Sequence, residues 1–116
     1  MARTKPPRNR KSITTSFRID DTKGYLTFGF YDDEMKHPCE VFARVAKSGS
    51  TITGLLDGLS IMVSYALQYG MPTSEIVEAL QGMRFVPMGM TNDKDVKNAS
   101  SLCDYIAQKL KVYVDE

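Results

Sequence analysis

The sequence has few of the residues that bind metals or carry out nucleophilic catalysis. His37, Cys39 and Cys103 are the only histidine and cysteine residues in the chain of 116 residues, whereas a zinc site needs three or four ligands. A nucleophilic cysteine needs an oriented base, and no pattern in the sequence marks one. We therefore predict no metal site and no catalytic residue, with both cysteines present as reduced thiols in the core.

The chain also lacks a long run of apolar residues. Its most apolar stretch, 55–67, is interrupted by Asp57, Gly58, Ser60 and Ser64, whereas a membrane-spanning helix needs about 20 mostly apolar residues. The N-terminus carries basic residues without an apolar segment behind them, so it does not have the pattern of a secretory signal. We expect no membrane association and a cytoplasmic location.

No acidic residue precedes Asp20, although five cations lie within residues 1–12 alone. Together with Pro6 and Pro7, this composition predicts a basic, flexible, extended arm over residues 1–12, followed by a single domain over residues 13–116. The arm is interpreted either as a solvated linker or as a segment that binds nucleic-acid phosphates. The cations concerned are Arg3, Lys5, Arg8, Arg10 and Lys11.

Alternating apolar residues predict a three-stranded antiparallel β-meander over about residues 13–46. The alternation runs through 13–19, 25–31 and 39–46, and a two-residue period is typical of half-buried strands. Turn-forming residues separate the three runs. One face of the meander is apolar and needs a cover.

Apolar residues at intervals of three and four predict a long helix over about residues 51–69, which we expect to cover the apolar face of the meander. Ser50 or Thr51 is expected to cap its first amides. Gly70 and Pro72 are expected to end it.

Two further helices are predicted, a short one over about residues 74–81 and a C-terminal one over about residues 98–112, capped by Asp95 or Asn98. The segment 83–94 between them is rich in turn residues and is expected to be irregular. Three strands followed by three helices indicate the α+β class.

Two glycines lie inside the long predicted helix. Gly54 and Gly58 each lower helix propensity by about 1 kcal/mol relative to alanine, so their spacing of four suggests a face where another backbone comes close. That backbone belongs either to the sheet or to a second subunit. We predict a homodimer.

The turn between the third strand and the long helix is the strongest candidate for an anion site. Glycine permits a tight turn there, and the first amides of a helix with a nearby cation attract phosphate. The alternative is a helix cap without a ligand. The residues are Lys47, Ser48, Gly49, Ser50 and Thr51.

Arg84 is a second candidate for binding an anion, because it is a lone cation in an apolar segment bounded by glycine and proline. Its guanidinium suits a carboxylate or phosphate. The alternative is a structural ion pair with Asp57 or Asp104.

Seven segments in the same order resemble the C-terminal domain of adenosylcobalamin-dependent ribonucleotide reductases, the TSCPD domain. They include KSGSTITGL, which contains the candidate anion turn, and RFVPMGMT, which begins at Arg84. The resemblance covers nearly all of the chain after the arm. The segments are 10–14, 24–29, 40–42, 46–55, 66–72, 84–91 and 98–106.

The resemblance implies a role in deoxynucleotide synthesis, as part of or beside an enzyme that uses adenosylcobalamin. The radical cysteine, the redox cysteine pair and the cobalamin contacts of that family belong to a barrel several times larger than this chain. We therefore expect a stand-alone, non-catalytic accessory or regulatory domain that binds no cofactor itself and has a reductase catalytic barrel as partner.

Two alternatives remain open. One is a free-standing regulatory or sequestering protein, of cellular or viral origin. It binds a nucleotide or another phosphorylated small molecule at the turn formed by residues 48–51, with help from Arg84. The other is a protein that binds nucleic acid through the basic arm.

Overall fold

The first three strands form the predicted antiparallel meander. In the computed structural model, which describes residues 2–114, they are β1 (Ser12–Ile19), β2 (Thr22–Phe30) and β3 (Pro38–Val45). Their inner face is buried and their outer face is exposed, as the two-residue period requires. The buried side chains of this face are Phe17, Ile19, Leu26, Phe28, Phe30, Cys39, Val41 and Ala43.

The remaining elements are three helices and a second hairpin. The helices are α1 (Ser50–Gln68), α2 (Thr73–Leu80) and α3 (Leu102–Leu110), and α3 continues into a 3-10 turn, Lys111–Tyr113. The prediction of an α+β fold in which a long helix follows three strands is confirmed.

The sheet has five strands, so the prediction of a three-stranded sheet was incomplete. The segment that we expected to be irregular contains β4 (Gly89–Asp93), and β5 (Val96–Ala99) follows it, giving the strand order β3-β2-β1-β4-β5. The amide of Asp20 donates to the carbonyl of Met90 at 2.9 Å, which joins the hairpin to β1. Strands of five and four residues are too short to show a clear alternation.

The second hairpin also shifts the start of the last helix. The helix does not begin near residue 98, because Asn98 lies in β5. The side chain of Ser101 accepts a hydrogen bond from the amide of Asp104 at 2.9 Å and is the N-cap. The prediction of Asp95 or Asn98 as the cap was therefore wrong.

Helix α1 is bound to β3 by polar side chains and not by the most apolar part of its surface. Ser60 Oγ accepts from the amide of Ala43 at 3.1 Å. Ser64 Oγ accepts from the amide of Val41 at 2.9 Å and donates to the carbonyl of the same residue at 3.1 Å. One turn further on, Gln68 Nε2 donates to the carbonyl of Cys39 at 2.9 Å. The three buried polar residues occupy every fourth position, so they hydrogen-bond to successive outward backbone groups of an edge strand.

This orientation buries part of the predicted apolar stripe against the core and leaves its outermost residues in solvent. Leu55 and Met62 are 71% and 66% exposed. A Cβ atom added at Gly54 or Gly58 would have no atom within 4 Å apart from its chain neighbours and its own helix. The sheet is therefore not the backbone that approaches these glycines, and a homodimer through this face stays a prediction.

By length and composition alone, α1 meets the requirement for crossing a membrane. We predicted no such segment, but serine and glycine interrupt the apolar sequence without making it strongly polar. One helix of this kind is weak evidence for insertion, since helices of soluble domains pass the same test. Hydrogen bonds to β3 hold α1 along the edge of the sheet.

The N-terminal arm lies against the domain. The amide of Thr4 donates to the carbonyl of Gln68 at 2.9 Å, and the hydroxyl of Tyr31 donates to the carbonyl of Thr4. Further along, the guanidinium of Arg10 pairs with Glu40 of β3. These contacts dock the arm on the domain, whereas its extended conformation and its flexibility stay predictions.

The hydrogen bonds between α1 and β3 predict the effect of a single substitution. Ser64→Ala leaves a buried amide and carbonyl of Val41 without a partner, so we expect the free energy of unfolding to fall by about 1–3 kcal/mol. Urea denaturation measures the change. Ser74→Ala, at an exposed position of α2, is the control and is expected to stay within about 0.5 kcal/mol. Equal stability of the two variants would contradict the role given to Ser64.

Candidate functional site

An apolar groove of about 490 Å³ lies where α1 begins. Its walls come from the first turns of α1, the end of β3, the segment that precedes β4, and the start of α3. The wall residues include Ile52, Leu55, Leu56, Phe85, Val86 and Leu102. A volume of this order is typical of sites that bind small molecules or an apolar side-chain cluster of a partner.

The predicted anion turn forms part of the rim of this groove. Lys47 and Ser48 both line it. Ser48 Oγ donates to the carbonyl of Val45 at 3.2 Å and lies 2.9 Å from Thr53 Oγ1, so its hydroxyl is already engaged. Lys47 is exposed and has a φ of 57°, a left-handed conformation that is costly for a lysine.

No side chain caps the start of α1. Gly49 is the N-cap residue, and no side chain accepts a hydrogen bond from the first amides. The prediction that Ser50 or Thr51 is the cap was therefore wrong, because both residues lie inside the first helical turn and are exposed. The amides of this turn remain available to an anion or to water.

The structure brings the loop that contains Arg84 to the same groove. Phe85, Val86 and Pro87 line it, while Arg84 itself is exposed. The loop is fixed to the strand end by a hydrogen bond from the amide of Phe85 to the carbonyl of Ser100 at 3.1 Å. The hydroxyl of Ser100 also donates to the carbonyl of Met83 at 2.8 Å.

Arg84 does not form the ion pair that we considered as its structural alternative. Within residues 2–114, the nearest cationic partner of Asp57 is Arg44, at 3.8 Å. Asp104 instead accepts hydrogen bonds from the amides of Gly82 and Ser100, at 2.8 and 3.0 Å. Arg84 is thus free of both carboxylates.

Asp104 is the electrostatic anchor of the groove loop. Burial alone would raise the pKa of its carboxyl, but the hydrogen bonds from Ser100, Gly82 and Gln108 outweigh burial and lower this pKa. The charged form is therefore stabilised in the folded protein. Because Asp104 binds the backbone on both sides of the loop, it fixes the distance between the ends of segment 82–100.

Both thiols are unsuited to nucleophilic chemistry. Cys39 and Cys103 are free and buried, and burial raises the pKa of each. A raised pKa keeps a thiol protonated at neutral pH, whereas a nucleophilic cysteine needs the thiolate. Cys103 lines the groove as an apolar side chain.

The cations of the arm lie at the other end of α1. The guanidinium of Arg3 is 4.5 Å from the ring centroid of Tyr65, and Arg10 is bound to Glu40. Lys5, Arg8 and Lys11 are exposed. A helix of 19 residues is roughly 28 Å long, so these five cations do not join the groove.

The structure thus assembles only part of the predicted site. Lys47, Ser48 and the Arg84 loop come together, while the apolar walls were not among the predicted site residues. Leu55 and Ile52 had been assigned to the buried stripe of α1. The signal that identifies them is the series Ser60, Ser64 and Gln68, whose spacing puts a polar face of the helix against the sheet. Among residues 2–114, no group of three or more His, Cys, Asp and Glu side chains is placed to hold a metal ion.

Comparison with known proteins gives one family. The family model for the TSCPD domain matches residues 2–114. The chain is 45% identical over 104 residues to a vitamin B12-dependent ribonucleotide reductase of Streptomyces avermitilis, 43% over 106 residues to that of Rhodopirellula baltica and 34% over 111 residues to that of Agrobacterium fabrum. These matches cover 90%, 91% and 95% of the chain but only 11%, 10% and 9% of the relatives. No solved structure gives a significant match.

The lowered pKa of Asp104 predicts a pH-dependent effect of Asp104→Asn. We expect the free energy of unfolding to fall by about 1–3 kcal/mol at neutral pH, because backbone amides at both ends of the loop lose a charged acceptor. The stabilisation from ionised Asp104 is complete above its unfolded pKa, near 4. It is lost as the pH falls from there through the lower folded pKa, so the difference between the two proteins shrinks in acid.

The free energies of unfolding of the native chain and of Asp104→Asn are measured by chemical denaturation at several pH values between about 2.5 and 7, a range that covers the titration of the carboxylate. Asp33→Asn, which removes an exposed carboxylate, is expected to change stability by less than about 0.5 kcal/mol. A difference for Asp104→Asn that stays constant down to the lowest pH would contradict the assigned role of the charge.

Proposed function

Because this chain belongs to the TSCPD domain family, we propose that it is a non-catalytic accessory domain of an adenosylcobalamin-dependent ribonucleotide reductase. The observation that carries the proposal is the match of almost the whole chain to about a tenth of each reductase relative. In this proposal the rest of a reductase performs the chemistry and this domain binds to it, within one polypeptide or as a separate one. Such a role agrees with the two protonated, buried thiols.

The exposed face of α1 supports binding to a large partner. Leu55 and Met62 are largely exposed and Ile61 is about half exposed. The one charged residue of this helix is Asp57. An exposed, contiguous apolar surface of this kind usually marks a site of interaction with another molecule. The groove continues the same surface past Leu55 to Val86, which is also exposed.

The described residues do not fit adenosylcobalamin itself. The groove walls are apolar and offer few donors to the amide groups around a corrin ring. His37, the one imidazole available as an axial ligand, does not line the groove and lies 3.4 Å from a carboxylate oxygen of Asp32. The proposal therefore assigns the cofactor to the partner.

The proposal predicts an identified partner. Affinity capture of the chain, tagged and expressed at its native level in its own host, is expected to recover a vitamin B12-dependent reductase polypeptide, identified by mass spectrometry. The double variant Leu55→Glu with Met62→Glu places two charges on the exposed face of α1. We expect recovery of the reductase to fall at least about tenfold, because two contacts at the centre of the interface are lost.

Val112→Glu is the matched control, because Val112 is also an exposed apolar residue and lies outside α1. It is expected to leave recovery unchanged. Capture of a second copy of the chain without any reductase would favour a homodimer and would count against the accessory role.

A second candidate function is the binding of a nucleotide or another phosphorylated small molecule. The observation that favours it is the uncapped start of α1 beside an apolar groove, with Lys47 on the rim. An apolar or aromatic ligand group fits the groove walls, and a phosphate fits the amides of residues 50–52. Arg84, on the same loop as Phe85, supplies a second cation.

Lys47→Gly tests this candidate, since glycine tolerates the left-handed conformation at position 47. We expect the unliganded variant to melt at the same or a higher temperature, because about 1–2 kcal/mol of backbone strain is removed. A ligand at 100 times its Kd stabilises the native chain by about 2.7 kcal/mol, and we expect Lys47→Gly to lose most of that shift. Thermal denaturation with a panel of nucleotides and cyclic dinucleotides measures both effects. No shift of the native chain with any of them would end the proposal.

A further inference from the structure

The outer face of the sheet is open, because the helices cover its inner face and its β3 edge. Directly opposite residues across β1, β2 and β3 form rows on this face. Arg18 lies opposite Lys23, and Tyr25 lies opposite both Ser16 and Arg44. The next row consists of Thr14, Thr27 and Phe42, whose two threonine hydroxyls are 2.9 Å apart.

Two aromatic rings project from the centre of this face. Tyr25 is 59% exposed and Phe42 is 47% exposed. They occupy diagonal positions on neighbouring strands, so their Cβ atoms are roughly 7 Å apart. Exposing two large rings on one small surface leaves apolar area in water that a flat, stacking ligand would cover.

Three cations surround Tyr25. Arg18 and Lys23 are directly opposite on adjacent strands, an arrangement of like charges that destabilises a sheet. Within residues 2–114, neither has a carboxylate oxygen within 4.0 Å. Arg44 reaches Asp57 only at 3.8 Å, with both side chains exposed, which is a weak pair.

Negative charge is almost absent from this face although the domain as a whole is acidic. Five of the 15 cations lie in the arm, residues 1–12, so residues 13–116 have fewer cations than acids, since they contain all 14 acids. Glu40 is the one carboxylate on the outer face of β1 to β3, and it is bound to Arg10. The arm therefore neutralises that carboxylate and leaves the face cationic.

We propose that the outer face of the sheet binds single-stranded nucleic acid. Bases stack on Tyr25 and Phe42, and phosphates contact Arg18, Lys23 and Arg44. Bases can stack on aromatic side chains of an open sheet only when they are not stacked on one another. A single strand offers such bases, whereas a duplex does not. A phosphate between Arg18 and Lys23 also removes the repulsion between these two cations.

Fluorescence anisotropy with a labelled oligothymidylate of about 12 nucleotides, the length a small platform accommodates, tests the proposal on the full chain. We expect binding at low salt, with weaker binding to a duplex of the same length. Tyr25→Ser is expected to lower affinity about tenfold, while Tyr25→Phe, which keeps the ring, retains it. Tyr69→Ser removes an exposed ring at the C-terminal cap of α1, away from the sheet face, and is the control for loss of an aromatic.

The cations are tested through the salt dependence of binding. Replacing Arg18, Lys23 and Arg44 by glutamine is expected to reduce the slope of log affinity against log salt by about 2, since each phosphate contact on a single strand contributes about 0.7. The control replaces Lys36, Lys94 and Lys111, which are exposed in the β2–β3 loop, in the β4–β5 turn and after α3. Melting temperatures confirm that every variant is folded.

Three results would overturn the proposal. The first is no anisotropy change at low salt. The second is binding that Tyr25→Ser leaves unchanged, which would assign the affinity to the arm alone. The third is competition by polyglutamate as strong as that by the oligonucleotide, which would indicate an acidic protein partner. None of them bears on recovery of a reductase, which depends on the face of α1.

Discussion

The hydrogen bonds between α1 and the edge of β3 determine how the rest of the domain is arranged. An edge strand has backbone groups without strand partners, and burying them without hydrogen bonds costs several kcal/mol. Ser60, Ser64 and Gln68 satisfy these groups from one face of a helix. The same face of α1 also buries two apolar residues, while the opposite side of the helix is exposed, so Leu55 and Met62 lie in solvent as a consequence of the edge contact.

The same contact creates the groove. With α1 alongside β3, the first turns of the helix extend past the end of the strand, and the loop before β4 forms the opposite wall. Asp104 holds that loop by its two ends. The groove therefore depends on two buried polar interactions, one at each side, while its own walls are apolar.

The parts of the fold that follow from local sequence were predictable. The alternation in β1 to β3 and the apolar spacing in α1 are properties of neighbouring residues, and both elements lie where expected. The β4–β5 hairpin depends on pairing with β1 about 70 residues earlier, a contact that no local pattern shows. The exposure of the outer part of this stripe was missed because the whole stripe was expected to be buried, although Ser60, Ser64 and Gln68 carried the opposite signal. The candidate turn lies on the rim of the groove, and that it binds an anion stays a prediction. The apolar walls of the groove come partly from residues that we had assigned to the core.

The two proposed surfaces differ in their physical chemistry, and the difference separates them experimentally. The face of α1 has almost no charge, so its contacts depend on removing apolar area from water and are little affected by moderate salt. The outer sheet face carries Arg18, Lys23 and Arg44, whose attraction for phosphate is screened over about 10 Å at 0.1 M salt. Because α1 borders the sheet at the β3 edge, the outer face of the sheet stays open. One domain can therefore bind a protein through the exposed face of α1 and single-stranded nucleic acid through the outer sheet face at the same time. Raising the salt concentration would then release the nucleic acid and leave the partner protein bound.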